Sequence, residues 1–320
     1  MKIMIEFIAA LFLLCFIFWF VLTQPIWVSD EQVDIPKVSS ETLHNHVVTL
    51  SETLPPRFGN EKSLEPTIQW IEKKLQQYGA PYRQTYQVDN ELFHNIILSF
   101  GPDTHDVVVV GAHYDTDHGL SGADDNASGV AGLIELARLL ANTQLTSRVE
   151  LVAYTLEEQP FYSSTHMGSY IHADSMKKEG KNVTLMMSLE MIGYFSDKAG
   201  SQKYPVPLLD KIYPDKGNFI AIVANMSNIM TARRVKKSFR QSTRLPVYSI
   251  NAPALLPGID FSDHRNYWIM DYPAVMITDT AFARNMAYHT ENDTADRLDY
   301  KKMAQVVQAV YFTVLEQLKR

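Results

Sequence analysis

Acidic and imidazole side chains follow an apolar segment near the middle of the sequence. The four consecutive valines of residues 107–110 have no polar residue among them, which predicts a strand buried on both faces of a sheet. An apolar pattern at helical spacing begins after Asn126. The loop between them therefore lies at the carboxyl end of a strand, where open α/β sheets hold ligands. Its polar side chains are His113, Asp115, Asp117, His118, Asp124 and Asp125.

Two further segments end in glutamates. The apolar segment 148–154 is followed by the adjacent pair Glu157 and Glu158, and the segment 183–189 by Glu190. Carboxylates and imidazoles suit a pair of divalent cations, so the candidate ligands are His113, Asp125, Glu158, Glu190 and a histidine late in the chain. Neighbouring side chains at a strand end point in different directions. One glutamate of the adjacent pair can then bind metal while the other acts as general base.

The elements that must position these residues alternate along the chain. Strands are predicted near residues 82–88, 93–100, 107–110, 148–154, 183–189, 219–223, 247–250 and 274–278. Helices are predicted near 40–54, 64–78, after 126, and near 166–178, 231–239, 262–269 and 300–318. This alternation predicts an α/β fold with a mixed, largely parallel central sheet and helices on both faces. The basic residues of 231–239 are expected to form a solvated face.

Composition favours one large domain over residues 39–320. The chain has 320 residues, is 46 % hydrophobic and carries a net charge of −7. It has no basic run with interleaved aromatic residues, so nucleic acid is not an expected partner. Cys15 is the single cysteine and lies near the N-terminus, so the domain has no disulfide or thiolate chemistry.

The N-terminal residues 1–28 predict a transmembrane anchor. Residues 7–22 are an unbroken apolar run, preceded by Lys2 and followed by Asp30, Glu31 and Asp34. Because basic residues stay on the cytoplasmic side, the remainder is expected outside the cytoplasm, joined by a short stalk at 29–38. We expect a single-pass protein of a bacterial inner membrane with a periplasmic catalytic domain. A cleaved signal peptide and a secreted protein form the alternative.

Five motifs resemble those of the M28 zinc peptidases, in the same order. They are GAHYDT, GADDNASGVAG, TLEE, SLEMIGY and YHTENDT, and the resemblance covers roughly residues 40–320. It implies the fold of the zinc-dependent exopeptidases and two zinc ions per chain, one held by His113 and Glu190 and the other by Glu158 and His289. Asp125 would bridge both ions, and its peptide bond to Asn126 would be cis. Glu157 would be the general base for a water that bridges the zinc ions, Asp115 would orient His113, and Tyr288 would steady the oxyanion.

The resemblance therefore implies a metal-dependent exopeptidase that removes amino acids from the N-termini of peptides. Many aminopeptidase members have Asp where this chain has Glu190. The pair Asp263 and His264 resembles a family pair near the substrate pocket. Carboxypeptidase activity, a single-zinc enzyme similar to glutaminyl cyclases and a non-catalytic binding ectodomain are the alternatives.

Overall fold

The computed structural model describes residues 2–28 and 33–320. Within these ranges the strands are β1 (Tyr82–Val88), β2 (Glu91–Phe100), β3 (Asp106–His113), β4 (Arg148–Tyr154), β5 (Asn182–Glu190), β6 (Ile220–Ala224), β7 (Val247–Asn251) and β8 (Ala274–Thr278). The helices are α1 (Lys2–Thr23), α2 (Ser40–Val48), α3 (Glu61–Leu75), α4 (Gly129–Leu140), α5 (Gly168–Lys178), α6 (Ile229–Ser242), α7 (His264–Ile269) and α8 (Tyr300–Leu318).

All eight strands form one sheet in the order β1-β2-β4-β3-β5-β8-β6-β7. Strand β3 is parallel to both β4 and β5, β5 is parallel to β8, and β6 is parallel to β7. The pairs β1–β2, β2–β4 and β6–β8 are antiparallel. The prediction of a mixed, largely parallel α/β sheet is confirmed, and each predicted strand is present.

The valine run lies at the centre of this sheet and is buried on both faces. Val108 and Val110 belong to the larger apolar core, which includes side chains of α2, α3, α4, α6 and α8. Val107 and Val109 point to the opposite face and pack with residues of α5 and α7. Because successive strand side chains alternate, a strand covered by helices on both sides needs apolar residues at every position.

Helix α1 is long and apolar enough to cross a membrane, a test that an N-terminal signal sequence also passes. The first residues of the predicted stalk, 29–32, lie outside the described residues. Residues 33–38 contain no helix or strand, as expected, but Ile35 and Val38 are buried in the main core. This part of the segment therefore packs on the catalytic domain and is not a free linker.

The prediction of a solvated basic face on α6 is only partly right, because Lys237 is exposed whereas Lys236 is buried. Lys236 is only 5 % exposed, and its Nζ donates to the carbonyls of Thr23 (2.6 Å) and Gln24 (3.1 Å). Arg233 and Arg240 donate to the backbone carbonyls of Pro25 and Ile26, each at 2.9 Å. Carbonyls at a helix C-terminus lack intrahelical donors, and here α6 supplies them.

The buried guanidinium of Arg57 holds the loop that carries the candidate ligands. It is 1 % exposed, and it donates to the carbonyls of Tyr114 (2.8 Å), Ser121 (3.0 Å), Gly122 (2.9 Å) and Leu50 (2.5 Å). Burial lowers the pKa of Arg57 to about 10, so the side chain stays charged at neutral pH. One side chain thus satisfies carbonyls on both sides of the loop.

Replacing Arg57 with alanine should cost at least about 3 kcal/mol of unfolding free energy, because several buried carbonyls lose their donor. Arg83→Ala is the matched control, since Arg83 pairs with Glu65 and Glu72 on a partly exposed surface and should cost at most about 1 kcal/mol. Guanidinium denaturation followed by circular dichroism measures both. Equal decreases in unfolding free energy for the two variants would show that the Arg57 side chain does not stabilise the loop.

Candidate metal centre

The sequence-predicted ligands meet at the carboxyl ends of three neighbouring strands. His113 is the last residue of β3 and Glu190 the last of β5, while Glu157 and Glu158 follow β4. His113 is paired in register with Tyr154, the last residue of β4. Parallel strands bring their carboxyl ends to one edge of the sheet, which explains why residues far apart in the sequence converge.

Two histidine–carboxylate clusters share the side chain of Asp125. His113 Nε2 lies 3.2 Å from Asp125 Oδ1 and 3.4 Å from Glu190 Oε2. His289 Nε2 lies 3.2 Å from Asp125 Oδ2 and 3.3 Å from Glu158 Oε2. Asp125 therefore offers one oxygen to each cluster, which is the arrangement needed for a carboxylate that bridges two cations.

The distances and the missing hydrogen bonds fit a pair of metal ions. Ligand atoms about 2.0–2.1 Å from a tetrahedral zinc lie ~3.3 Å from one another, which agrees with the distances within both clusters. The buried atoms His113 Nε2, His289 Nε2 and Glu158 Oε1 have no hydrogen-bond partner among the described residues. A cation in each cluster would satisfy them.

Both histidines are oriented through their second ring nitrogen. His113 Nδ1 lies 3.1 Å from the backbone carbonyl of Asp115 and 3.7 Å from its carboxylate Oδ1. The other oxygen of Asp115 accepts a hydrogen bond from the backbone N–H of Glu158 at 3.1 Å. His289 Nδ1 lies 3.4 Å from Asp117 Oδ2, a contact that sequence reasoning did not predict. Contacts of this kind fix the tautomer of a metal-binding imidazole.

The carboxylate of Glu190 lies in the cluster, although the side chain is one methylene longer than the aspartate found at this position in many family members. Its Oε2 accepts a hydrogen bond of 2.7 Å from the hydroxyl of Ser262, which is fully buried and also bonds to Ser188 at 2.8 Å. Ser262 thereby fixes the carboxylate that faces His113. Nothing in the sequence pattern linked Ser262 to the site.

The loop around Asp125 is held by a second carboxylate. Asp293 accepts hydrogen bonds from the backbone N–H groups of Asp124 (3.1 Å) and Asp125 (3.0 Å). The peptide bond between Asp125 and Asn126 is cis, as the resemblance implied. Asp293 lies within the YHTENDT motif, which was the one sequence signal that could have indicated its role.

Glu157 and Tyr288 lie next to the clusters. Glu157 is buried, and its Oε2 is 3.9 Å from His113 Nε2, farther than the carboxylates of Asp125 and Glu190. The ring of Tyr288 stacks on His289 with centroids 3.8 Å apart.

Asp263 and His264 are fully buried. Neither contributes to the lining of the apolar cavity that includes Glu190 and Tyr288. His264 lies 2.8 Å from the carbonyl of Ile259 through Nε2, and its ring contacts Trp268. Both carboxylate oxygens of Asp263 are buried without a hydrogen-bond partner among the described residues.

The ionisable groups strongly affect one another. Burial and the nearby Asp125 raise the pKa of Glu158 to about 8, and burial raises the pKa of Glu157 well above its usual range. Burial alone would lower the pKa of both histidines, but the surrounding carboxylates outweigh it. They raise the pKa of His289 to about 10 and that of His113 well above its ordinary value. Without metal, protons therefore balance the buried negative charge.

The chain is similar in sequence to known peptidases. The sequence matches peptidase family M28 over residues 95–314. It is 44 % identical over 312 residues to the uncharacterized protein YfbL of Escherichia coli (strain K12), covering 93 % of this chain and 95 % of that protein. It is 25 % identical over 308 residues to leucine aminopeptidase 1 of Arthroderma otae, covering 89 % and 76 % of the two chains.

Solved structures share the fold. The aminopeptidase LapA of Legionella pneumophila superposes with a TM-score of 0.69 at 18 % identity, over 88 % of this chain and 73 % of that one. A glutaminyl cyclase of Bacteroides thetaiotaomicron superposes with a TM-score of 0.63 at 19 % identity, over 88 % and 99 %.

Metal binding should release protons, because His113 and His289 have raised pKa values without metal and must be neutral to bind it. The apparent zinc affinity of the metal-free protein should therefore fall as the pH is lowered from about 9 to about 6. Calorimetric titration in two buffers of different ionisation enthalpy measures the protons released. His166→Ala, in an exposed loop, is the control and should release the same number. Identical heats in both buffers would contradict the prediction.

Proposed function

Because the chain belongs to peptidase family M28, it is a zinc-dependent metallopeptidase, and we propose that it removes amino acids from the free N-termini of peptides. The observation that carries this proposal is the position of Asp125, which faces a histidine–carboxylate pair with each of its two oxygens. Hydrolysis by a pair of cations needs such a shared ligand.

We assign His113 and Glu190 to one cation and Glu158 and His289 to the other. Distances of 3.2–3.4 Å between the nitrogens and oxygens within each cluster support this assignment. When bound, the two cations would supply Lewis-acid chemistry and would lower the pKa of water towards ~7. Asp115 and Asp117 hold the imidazoles, and Ser262 holds the carboxylate of Glu190.

Glu157 is proposed as the general base. Its Oε2 lies 3.9 Å from His113 Nε2, farther than the oxygens of Asp125 (3.2 Å) and Glu190 (3.4 Å), so we assign those two carboxylates to the cation beside His113 and leave Glu157 to accept a proton. It would take the proton from the attacking water and then deliver it to the nitrogen of the leaving peptide. Its raised pKa, caused by burial, suits a group that must hold the proton between these two transfers.

Tyr288 is proposed to stabilise the negative oxygen that forms on the scissile carbonyl. Burial raises the pKa of its phenol, so the hydroxyl keeps its proton and can donate a hydrogen bond. Stacking on His289 holds the ring beside the clusters.

We propose that α1 remains attached and anchors the enzyme in a bacterial inner membrane, with the catalytic domain in the periplasm. Support comes from the length and apolar composition of α1 and from Lys2 at its start. The similarity to a protein of Escherichia coli supports a bacterial source. The substrates would then be peptides outside the cytoplasm.

Cyclisation of N-terminal glutamine by a single zinc is the second candidate, because a glutaminyl cyclase shares the fold. The presence of two histidine–carboxylate clusters favours hydrolysis instead, since a single-zinc enzyme needs only one of them.

Glu157→Gln should keep its metal content and lose about 10²–10⁴-fold in kcat, because the amide cannot accept the proton. Zinc analysis and hydrolysis of an N-terminal leucine peptide measure the two effects. Glu179→Gln is the matched control, since Glu179 is exposed at the end of α5, and it should be fully active. Full activity of the Glu157 variant would remove this residue from the mechanism.

The wild-type protein should bind two zinc ions and cleave a peptide with a free amine, but not the same peptide with an acetylated amine. Metal analysis after dialysis gives the number of zinc ions per chain. Chromatography of the products shows whether and where the peptide is cleaved. One zinc per chain together with cyclised glutamine would instead indicate the cyclase reaction. Cleavage from the carboxyl end would indicate a carboxypeptidase, and no chelator-sensitive turnover on any peptide would indicate a binding domain.

A further inference from the structure

A cavity of about 530 Å³ opens beside the metal centre and extends to the membrane anchor. Its lining includes Glu190 and Tyr288 from the metal centre and Phe18, Val21 and Leu22 from α1. The volume lies within the ~300–1,000 Å³ range of cavities that enclose whole small ligands. It is larger than a single aliphatic side chain requires.

The lining of this cavity is almost wholly apolar. One wall is the sheet face of β6 and β8, which contributes Ala221, Val223 and Met276. Helices α5 and α7 cover β5 and β8 on this face of the sheet. Within the described residues, the part of the face formed by β6 is closed by loops and by α1. A peptide backbone threaded into such a cavity would leave its N–H and C=O groups unpaired, at a cost of ~2–7 kcal/mol for each group.

The end of α1 is fixed to the catalytic domain. Leu22 is 5 % exposed, and the carbonyl of Thr23 accepts hydrogen bonds from Lys236 of α6 and from Ser249 of β7 (2.9 Å). The guanidinium of Arg233 also lies over the ring of Phe20, 5.5 Å from its centroid. The wall that α1 contributes is therefore held in place by the domain and is not a loosely tethered helix.

The rim of the cavity is apolar as well. Several lining side chains are substantially exposed, namely Leu208, Met226, Phe261 and Phe282, and Leu255 in the adjoining loop is 94 % exposed. Contiguous exposed apolar side chains on a soluble domain mark a surface that contacts another apolar phase. Helix α1 adjoins this surface and exposes apolar side chains along its own length, so under the anchoring proposed above the rim would lie next to the bilayer.

We infer that the cavity binds the acyl chain of a lipid-modified peptide whose N-terminal residue carries the chain on its side chain and keeps a free amine. This inference rests on the proposed function, because the free amine and the scissile bond must lie at the metal centre. An alkyl chain has no polar group to satisfy, so it suits a lining in which the peptide backbone would be destabilised. Hydrolysis would release the acylated residue and shorten the peptide.

The test uses the full-length protein in nanodiscs and tripeptides that begin with linear 2-aminoalkanoic acids, lengthened from norleucine by one methylene at a time. If the chain enters the cavity, kcat/KM should rise roughly fourfold per methylene until the cavity is full. A rise that stops at norleucine would show that the site accepts only ordinary side chains, and it would overturn the inference. Failure to cleave even the leucine peptide would instead overturn the proposed function.

Variants separate the cavity from simple partitioning into the bilayer. Val21→Trp narrows the cavity from α1, and Val223→Phe narrows it from the sheet, so both should abolish the dependence on chain length. Leu14→Trp, on the exposed part of α1, should keep it. The inference would be contradicted if Leu14→Trp lost the dependence of kcat/KM on chain length, or if both cavity variants kept it. Either result would assign the dependence to partitioning into the bilayer. Thermal unfolding by circular dichroism confirms that each variant is folded.

Discussion

Buried negative charge is the constraint on which the structure depends. Asp125, Glu157, Glu158 and Glu190 are all less than a tenth exposed, and only two histidines lie among them. Two like charges 4 Å apart repel by about 4 kcal/mol even at an effective dielectric constant of 20. The raised pKa values of Glu157 and Glu158 express this repulsion together with burial. A folded state with these side chains in one small volume requires positive charge there, as protons on the imidazoles or as bound cations.

The surrounding structure holds these side chains together from several directions. The sheet brings the ends of β3, β4 and β5 together, which places His113, Glu158 and Glu190 at one edge, while Asp125 and His289 reach the site from loops. Outside them, Arg57 holds the loop before Asp125, and Asp293 holds its backbone. Ser262 and Asp117 then fix the direction of individual ligands. Rigid supports of this kind keep ligand atoms ~3.3 Å apart, where they would otherwise separate to reduce repulsion.

Much of this arrangement could be predicted because its signals are local. The valine run before His113 and the alternating segments defined the strands within a few residues, and the order of five motifs indicated the ligands. The supporting residues carry no such signal. Ser262 is 72 residues from Glu190, and Asp293 is 169 residues from Asp124, so only the tertiary structure brings them into contact. Local sequence patterns predict the secondary structure of one segment, whereas these hydrogen bonds depend on how distant segments pack.

The basic side chains of α6 show the same limit of prediction from local sequence patterns. Of the contacts that were not predicted, theirs have the largest structural consequence. As an isolated helix, α6 would expose Arg233, Lys236 and Arg240 to water, which is why a solvated face was expected. The folded chain instead has carbonyls without donors at the end of α1, 213 residues before Lys236, and these compete successfully with water. Burial and the neighbouring arginines lower the pKa of Lys236 to about 8, so it still carries a proton at neutral pH and can donate to both carbonyls. These bonds fix the end of α1 to the domain, so under the proposed anchoring by α1 the fold itself would set which side of the domain faces the bilayer.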